Sequence, residues 1–302
     1  MEEILSKAGS FVAIILVGHA LRRINFFKEE DFNVLSKIVL KITLPAALVY
    51  SLAGKEIAPS MLFISLIGLV TGMIYIGVMF LINLHNSKEN RAFEILNTAG
   101  YNIGNFTMPF VQSFLGATGV LAVSLFDTGN AVICLGGAYS MASLVRNGEK
   151  FDIRKIITKL IHSVPFMAYF FMLILGLLKL SLPVPVITFA GIISNANAFM
   201  AMLMLGVGFN LSGDRNQMRR IVKILVVRYG FALVFALGCF FLLPLELEFR
   251  QGLALAVFSP IGSAAPAFTA ELKEDVGLSS AINSISILIS IVCIVALLLI
   301  ML

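Results

Sequence analysis

Residues 97–109 read Asn97-Thr98-Ala99-Gly100-Tyr101-Asn102-Ile103-Gly104-Asn105-Phe106-Thr107-Met108-Pro109, and residues 259–266 read Ser259-Pro260-Ile261-Gly262-Ser263-Ala264-Ala265-Pro266. Both stretches interrupt long apolar runs with Gly, Pro and small polar residues, where an ordinary buried helix would carry Leu and Val. Proline removes an amide hydrogen and clashes with the preceding turn, so a helix breaks or kinks there. Broken backbone cannot face lipid, because each unpaired amide or carbonyl costs several kcal/mol in hydrocarbon. Such segments must line a protected, polar cavity.

The surrounding composition places these breaks in a membrane. Of 302 residues, 59% are hydrophobic and only 13% charged, with 25 Phe, 24 Gly and no Trp, and the mean hydropathy is +0.98. Soluble domains hold about 45–50% apolar and about 25% charged residues, so a soluble enzyme with one buried core is excluded. A bilayer core of roughly 30 Å takes about 20 apolar residues to span. Ten apolar segments can be read: Ile4–Leu21, Asn33–Ala53, Ser60–Leu84, Ala92–Phe114, Gly119–Val145, Leu160–Leu180, Val186–Leu211, Ile224–Leu243, Gln251–Ala270 and Leu278–Leu302. Glu2 and Glu3 precede the first and Arg22-Arg23 follow it, the reverse of a secretory signal.

Charge sets the orientation. With the N-terminus outside, inner loops carry 15 of the 22 Lys+Arg, including Arg146, Lys150, Arg154, Lys155, Lys159 and Arg215. Outer segments carry Lys7, Lys55, Lys179 and Arg250, and the other three (Lys37, Lys41 and Arg228) lie near inner helix ends. The positive-inside rule therefore puts both termini on the non-cytoplasmic side of a multi-pass cell-membrane protein. Basic residues spread over short loops form no nucleic-acid patch. Among the 17 acids, eleven are counted with the inner loops, Glu94 at the inner end of the fourth segment among them, five with the outer ones, and Asp127 alone lies in the membrane interior.

The halves look related. Residues 1–145 hold five spans, 146–159 form a basic cytoplasmic connector, and 160–302 hold five more. An odd number of helices per copy inserts the second copy upside down. The expected fold is thus an all-α integral membrane protein of ten helices, in two inverted five-helix repeats, with broken crossover helices 4 and 9. Their interruptions are expected near Gly104–Pro109 and Pro260–Pro266, with Gly262 in the second. Paired Gly/Pro breaks in two halves point to a transporter's binding site near mid-membrane. Half-helix N-termini there favour anions, and Asn102, Asn105, Thr107, Ser259 and Ser263 add neutral donors and acceptors. Asp127 and Asn130, one turn apart, are the candidate coupling pair, since an ionisable residue within a span is costly and marks function.

Other motifs carry less. Asp127-Thr128-Gly129 spells the aspartic-protease signature, but that chemistry needs two close carboxylates. No Gly-x-Ser-x-Gly elbow, His-Glu-x-x-His or phosphate loop occurs, so no enzyme is expected. Cys134, Cys239 and Cys293 lack metal spacing and suit packing positions. His19, His85 and His162 are scattered and read as interfacial. Lys37 and Lys41, and Arg228 in the eighth span, read as side chains snorkelling to the inner surface.

At these residues the chain resembles the auxin efflux carrier family, with its bacterial malate- and malonate-permease-like members. Leu44-Pro45, Asn102 seven residues before Pro109, Phe126-Asp127-x-Gly129-Asn130-Ala131 and the Pro-rich ninth span carry the likeness across nearly the whole chain. The resemblance implies a crossover fold related to bile-acid sodium symporters, with scaffold helices 1, 2, 6 and 7 and core helices 3–5 and 8–10. It also implies that Asn102 contacts a substrate carboxylate. The connector is short beside the regulatory loop of plant auxin carriers, and the ninth span lacks the membrane Glu of sodium-coupled relatives. The function expected is secondary transport or symport of small organic anions (mono- or dicarboxylates such as malate or malonate, or auxin-like acids), without a cofactor and with coupling to H+ or Na+. A sodium/proton antiporter or a passive facilitator on the same fold is the alternative. A homodimer is compatible with the sequence, which does not specify oligomeric state.

Overall fold

A computed structural model describes residues 2–28, 30–210 and 217–302. Within them the chain is helical between short connections. Helix α1 (Glu2–Arg23) is unbroken. Next, α2 (Asp31–Ile38) passes through a wide π-type turn at Val39–Thr43 into α3 (Leu44–Leu52). Pro45 directly follows the wide turn inside the continuous helix Asp31–Leu52, and that turn is where the hydrogen bond its missing amide would have made is lost. Then come α4 (Phe63–Ile82), α5 (Lys88–Leu96) and α6 (Met108–Phe114). Helices α7 (Gly116–Val132) and α8 (Ala138–Asn147) are joined by a second wide turn at Ile133–Gly137.

The remainder comprises α9 (Ile153–His162), α10 (Val164–Leu177), α11 (Val184–Ser194) and α12 (Asn197–Gly208). It ends with α13 (Met218–Leu242), α14 (Leu247–Val257), α15 (Ala265–Glu271) and α16 (Val276–Met301). Leu211, the expected end of the seventh segment, and Arg215, one of the inner-loop cations, lie outside the described residues.

Among the described residues seven helical stretches, with α2–α3, α7–α8 and α11–α12 each taken as one, are long and apolar enough to cross a membrane, and the pair α9–α10, bent by 80°, raises this to eight if it counts as one span. The bend divides the expected segment Leu160–Leu180. Asp152 caps α9 by accepting from the Arg154 and Lys155 amides, and Ser163 caps α10 by accepting from Phe166 N. Among the described residues three of the ten sequence segments contain no single spanning helix: α9–α10 and the two quoted first, α5–α6 and α14–α15.

The first interruption reaches further upstream than Gly104–Pro109. Regular α-helix stops at Leu96, and the chain is helical again from Ile103, as a wide turn over Ile103–Thr107 leading into α6. The non-helical break is therefore 97–102, and it leads into the wide turn that contains Gly104. Pro109 lies just after this wide turn, and Pro266 in the first turn of α15. Gly100 makes the turn at φ +83°, and a Cβ there would also come 2.7 Å from Cys134 Sγ. In the second segment the break is 258–264, which contains Pro260 and Gly262 as expected.

Lipid is as apolar as Leu, so helices associate here through close packing and hydrogen bonds. Glycines supply the approach. A Cβ on Gly129 of α7 would fall 1.7 Å from the Ser65 carbonyl oxygen of α4, and one on Gly206 of α12 would fall 2.1 Å from that of Ile15 in α1. The chief packing partners are α1 with α12, α3 with α10 and α11, α4 with α7, and α14 with α7 and α13.

Two charged residues are placed otherwise than expected. Arg228 does not snorkel but is fully buried, at 0% exposure. Glu94, counted with the inner-loop acids, is also buried in α5 and forms ion pairs with Arg220 and Lys223. Lys37 and Lys41 are exposed on the outward face, as snorkelling requires.

Candidate functional site

A helix break frees backbone groups, and buried groups must find partners elsewhere. Here the two breaks first satisfy each other. Tyr101 and Ile261 form an isolated antiparallel bridge, and Asn102 N donates to the Pro260 carbonyl at 2.9 Å. Side chains then take up the rest. Asn130 Oδ1 accepts from Tyr101 N at 2.9 Å, and its Nδ2 donates to Tyr101 O at 2.8 Å. In the second break Ser286 Oγ accepts from Ile261 N, while Asn283 Nδ2 donates to the Ile261 carbonyl at 3.0 Å. Each broken segment is thus clamped by an amide side chain from the second helix after it, α7 and α16.

The remaining carbonyls fall to Arg228. Its Nη1 donates to Thr98 O and its Nη2 to Ser259 O, each at 3.0 Å, with Pro260 O at 3.5 Å. The guanidinium lies over the rings of Tyr101 and Tyr75, 4.0 and 4.8 Å from their centroids. Tyr75 in turn donates its hydroxyl to the Arg228 carbonyl.

Beside the crossing lies a cavity of about 180 Å³. Of the residues expected at the site, Asn102, Gly104, Asn105, Asp127, Asn130, Gly262 and Ser263 line it. Asn105 Nδ2 donates to Ser263 Oγ across the two breaks at 3.3 Å. The Asn102 side chain is 4% exposed, and its Nδ2 has no partner. Asn105 Oδ1 is likewise buried without one. Unpaired buried polar atoms are rare, and these two sit on a cavity wall.

Asp127 borders the same cavity and accepts two hydrogen bonds of 2.8 Å, from Asn130 Nδ2 and from the Tyr169 hydroxyl of α10. It therefore joins the clamp on Tyr101 to a helix outside the crossing. Thr107 and Ser259 are placed elsewhere. Both are fully buried and their hydroxyls hydrogen-bond to each other, so they tie the breaks together away from the cavity. Pro109 and Pro260 also lie off the cavity, and Pro266 borders a second one of about 200 Å³ that shares Ser263. Among the described residues no three His, Cys, Asp or Glu side chains group to hold a metal ion.

Sequence reasoning overlooked Arg228, Tyr169, Asn283 and Ser286. For the first no sequence signal existed: Arg228 lies four residues into the expected segment Ile224–Leu243, about 6 Å along a helix, which is within reach of a snorkelling side chain.

No curated protein matches the chain. The sequence profile of the membrane transport protein family does, over residues 10–301. The broken helices, the polar cavity between them and this match over nearly the full length agree with the resemblance read from the motifs: the chain belongs to the membrane transport protein family, the auxin-efflux-carrier-like transporters.

Proposed function

We propose that this membrane transporter carries small organic anions, mono- or dicarboxylates, by alternating access around the crossing. In this reading 1–145 and 160–302 are inverted repeats joined by the cytoplasmic connector 146–159. The first two and the sixth and seventh spans form a scaffold, the remaining spans a core, and both termini face away from the cytoplasm. The equivalent clamps of Asn130 on Tyr101 and of Asn283 on Ile261 support the repeat. The packing of α1 on α12 and of α3 on α10 and α11 supports the scaffold.

The observation that carries the substrate class is the buried, unpartnered Asn102 Nδ2 on the cavity wall. A carboxylate oxygen would satisfy that donor, and Ser263 adds a hydroxyl beside it. The volume favours an organic anion over a bare ion: one water needs only about 10–15 Å³, far below the 180 Å³ here. Asp127, on the same wall and bonded to Tyr169, is placed to couple a proton or cation to movement between core and scaffold. On the other side of α6, Gln112 bonds to Ser51 of α3 and to Asn197 of α12, a polar contact that a moving core would have to release.

The test is uptake into proteoliposomes of labelled malate, malonate and indole acids, with pH and sodium gradients imposed separately. Saturable uptake of a carboxylate supports the reading. Proton–sodium exchange without any carboxylate flux would replace it with an antiporter.

A further inference from the structure

The feature that the substrate reading does not use is the charge of Arg228. Its hydrogen bonds go to three carbonyl oxygens in the two breaks, and its flat faces to two tyrosine rings. Among the described residues neither nitrogen of its fork contacts a carboxylate. A fully buried cation without an acidic partner is expensive unless something else balances it. Here the balance is backbone. Thr98 lies two residues past the end of α5, and Ser259 and Pro260 lie two and three past the end of α14. Each helix C-terminus presents roughly half a negative charge. Two together amount to about one, which is what a guanidinium supplies.

Carbonyl oxygens converging from two helix ends are also the chemistry that holds a hard monovalent cation in broken membrane helices. We propose that Arg228 is a tethered cation occupying this carbonyl cage, and that it does there what a bound sodium ion would do. It cancels the two negative helix ends and pins the breaks in the arrangement that turns Asn102 toward the cavity. It is a positioning residue, since Tyr101 stands between it and the cavity wall. With the cage filled by the chain itself, sodium has no place in that cage. The proposal rests on reading the crossing as the substrate site only for its consequence for Asn102. The occupancy of the cage can be measured without any substrate.

The experiment follows amide hydrogen exchange of 97–102 and 258–264 in the purified full chain, in sodium chloride and in choline chloride. Wild type should give equal protection in both salts, because the cage cation is covalently attached. Arg228→Ala should lose protection in both segments together by about tenfold or more, the loss expected when hydrogen bonds to a charged group are removed. Methylguanidinium should restore it, as should sodium in part, whereas choline should not. Arg228→Lys, which keeps the charge but not the fork, should fall between. If Arg228→Ala does not fold, the wild-type salt comparison and Arg228→Lys still decide. Sodium-specific protection of the wild-type breaks would overturn the proposal. So would an Arg228→Ala protein with undiminished protection, or one indifferent to methylguanidinium. A failure of carboxylate uptake would overturn the substrate reading and leave these exchange results standing.

Discussion

Replacing Asp127 by Asn separates the charge of this residue from its packing. The carboxylate accepts from Asn130 Nδ2 and from the Tyr169 hydroxyl, both at 2.8 Å. An asparagine of nearly the same size can keep both contacts: its oxygen accepts from Asn130, and its amide donates to a rotated Tyr169 hydroxyl. Hydrogen bonds to a charged group contribute about 1.5–3 kcal/mol and neutral ones about 0.5–1.5. The two weakened bonds therefore cost no more than about 3 kcal/mol together, offset by relief from burying a charge. Asp127→Asn should fold, with a melting temperature within a few degrees of wild type. Transport is where it should differ. In proteoliposomes loaded against a pH gradient, carboxylate uptake should fall to the rate without a gradient, while equilibrium binding of the anion persists. If the coupling ion is sodium, the sodium-driven component should vanish instead. Wild-type uptake under both gradients would refute the coupling role and leave Asp127 as a helix-to-helix link.

Asn102→Ala should weaken anion binding by about ten- to a hundredfold, the loss of one hydrogen bond to a charged group, with little change in melting; calorimetric titration of a transported carboxylate checks this, and unchanged affinity would remove Asn102 from the site. Asn130→Ala strands the Tyr101 amide and carbonyl together with an Asp127 oxygen. At about 1–3 kcal/mol for each unsatisfied group, it should melt far below wild type and lose exchange protection at 97–102, and a melt within a degree of wild type would contradict the clamp. Gly129→Ala places a methyl 1.7 Å from the Ser65 carbonyl oxygen, so α4 and α7 must separate. Its yield of monodisperse protein should drop sharply, whereas Gly230→Ala in α13, with nothing within 4 Å, should behave as wild type.

Much of this protein was legible along the chain because a bilayer makes strong local demands. Every stretch of about 20 apolar residues must close its own backbone hydrogen bonds, so composition alone specifies a helical membrane protein. Gly100, Pro260 and their polar neighbours stand out as the places where closure fails. Asn102, Asn105, Asp127, Asn130 and Ser263 could be nominated because polar atoms at such depth need a purpose, and all five border one cavity. Local chemistry misled where a proline was taken as the break itself. Pro266 lies in the first turn of α15, where a missing amide hydrogen costs least, and Pro109 follows the wide turn Ile103–Thr107.

What the chain could not disclose is which freed backbone group meets which partner. Thr107 and Ser259 are polar, deep and beside the breaks, yet they satisfy each other and leave the cavity to Asn102 and Ser263. Arg228 shows the limit most clearly. It lies 130 residues from Thr98 and 31 from Ser259, and by pattern alone it is one more arginine in an apolar helix. A guanidinium is tolerated in this core only where carbonyls from two separate helix ends converge with the faces of Tyr75 and Tyr101. That convergence exists in no segment of the sequence, because it is made by packing α5, α13 and α14 together.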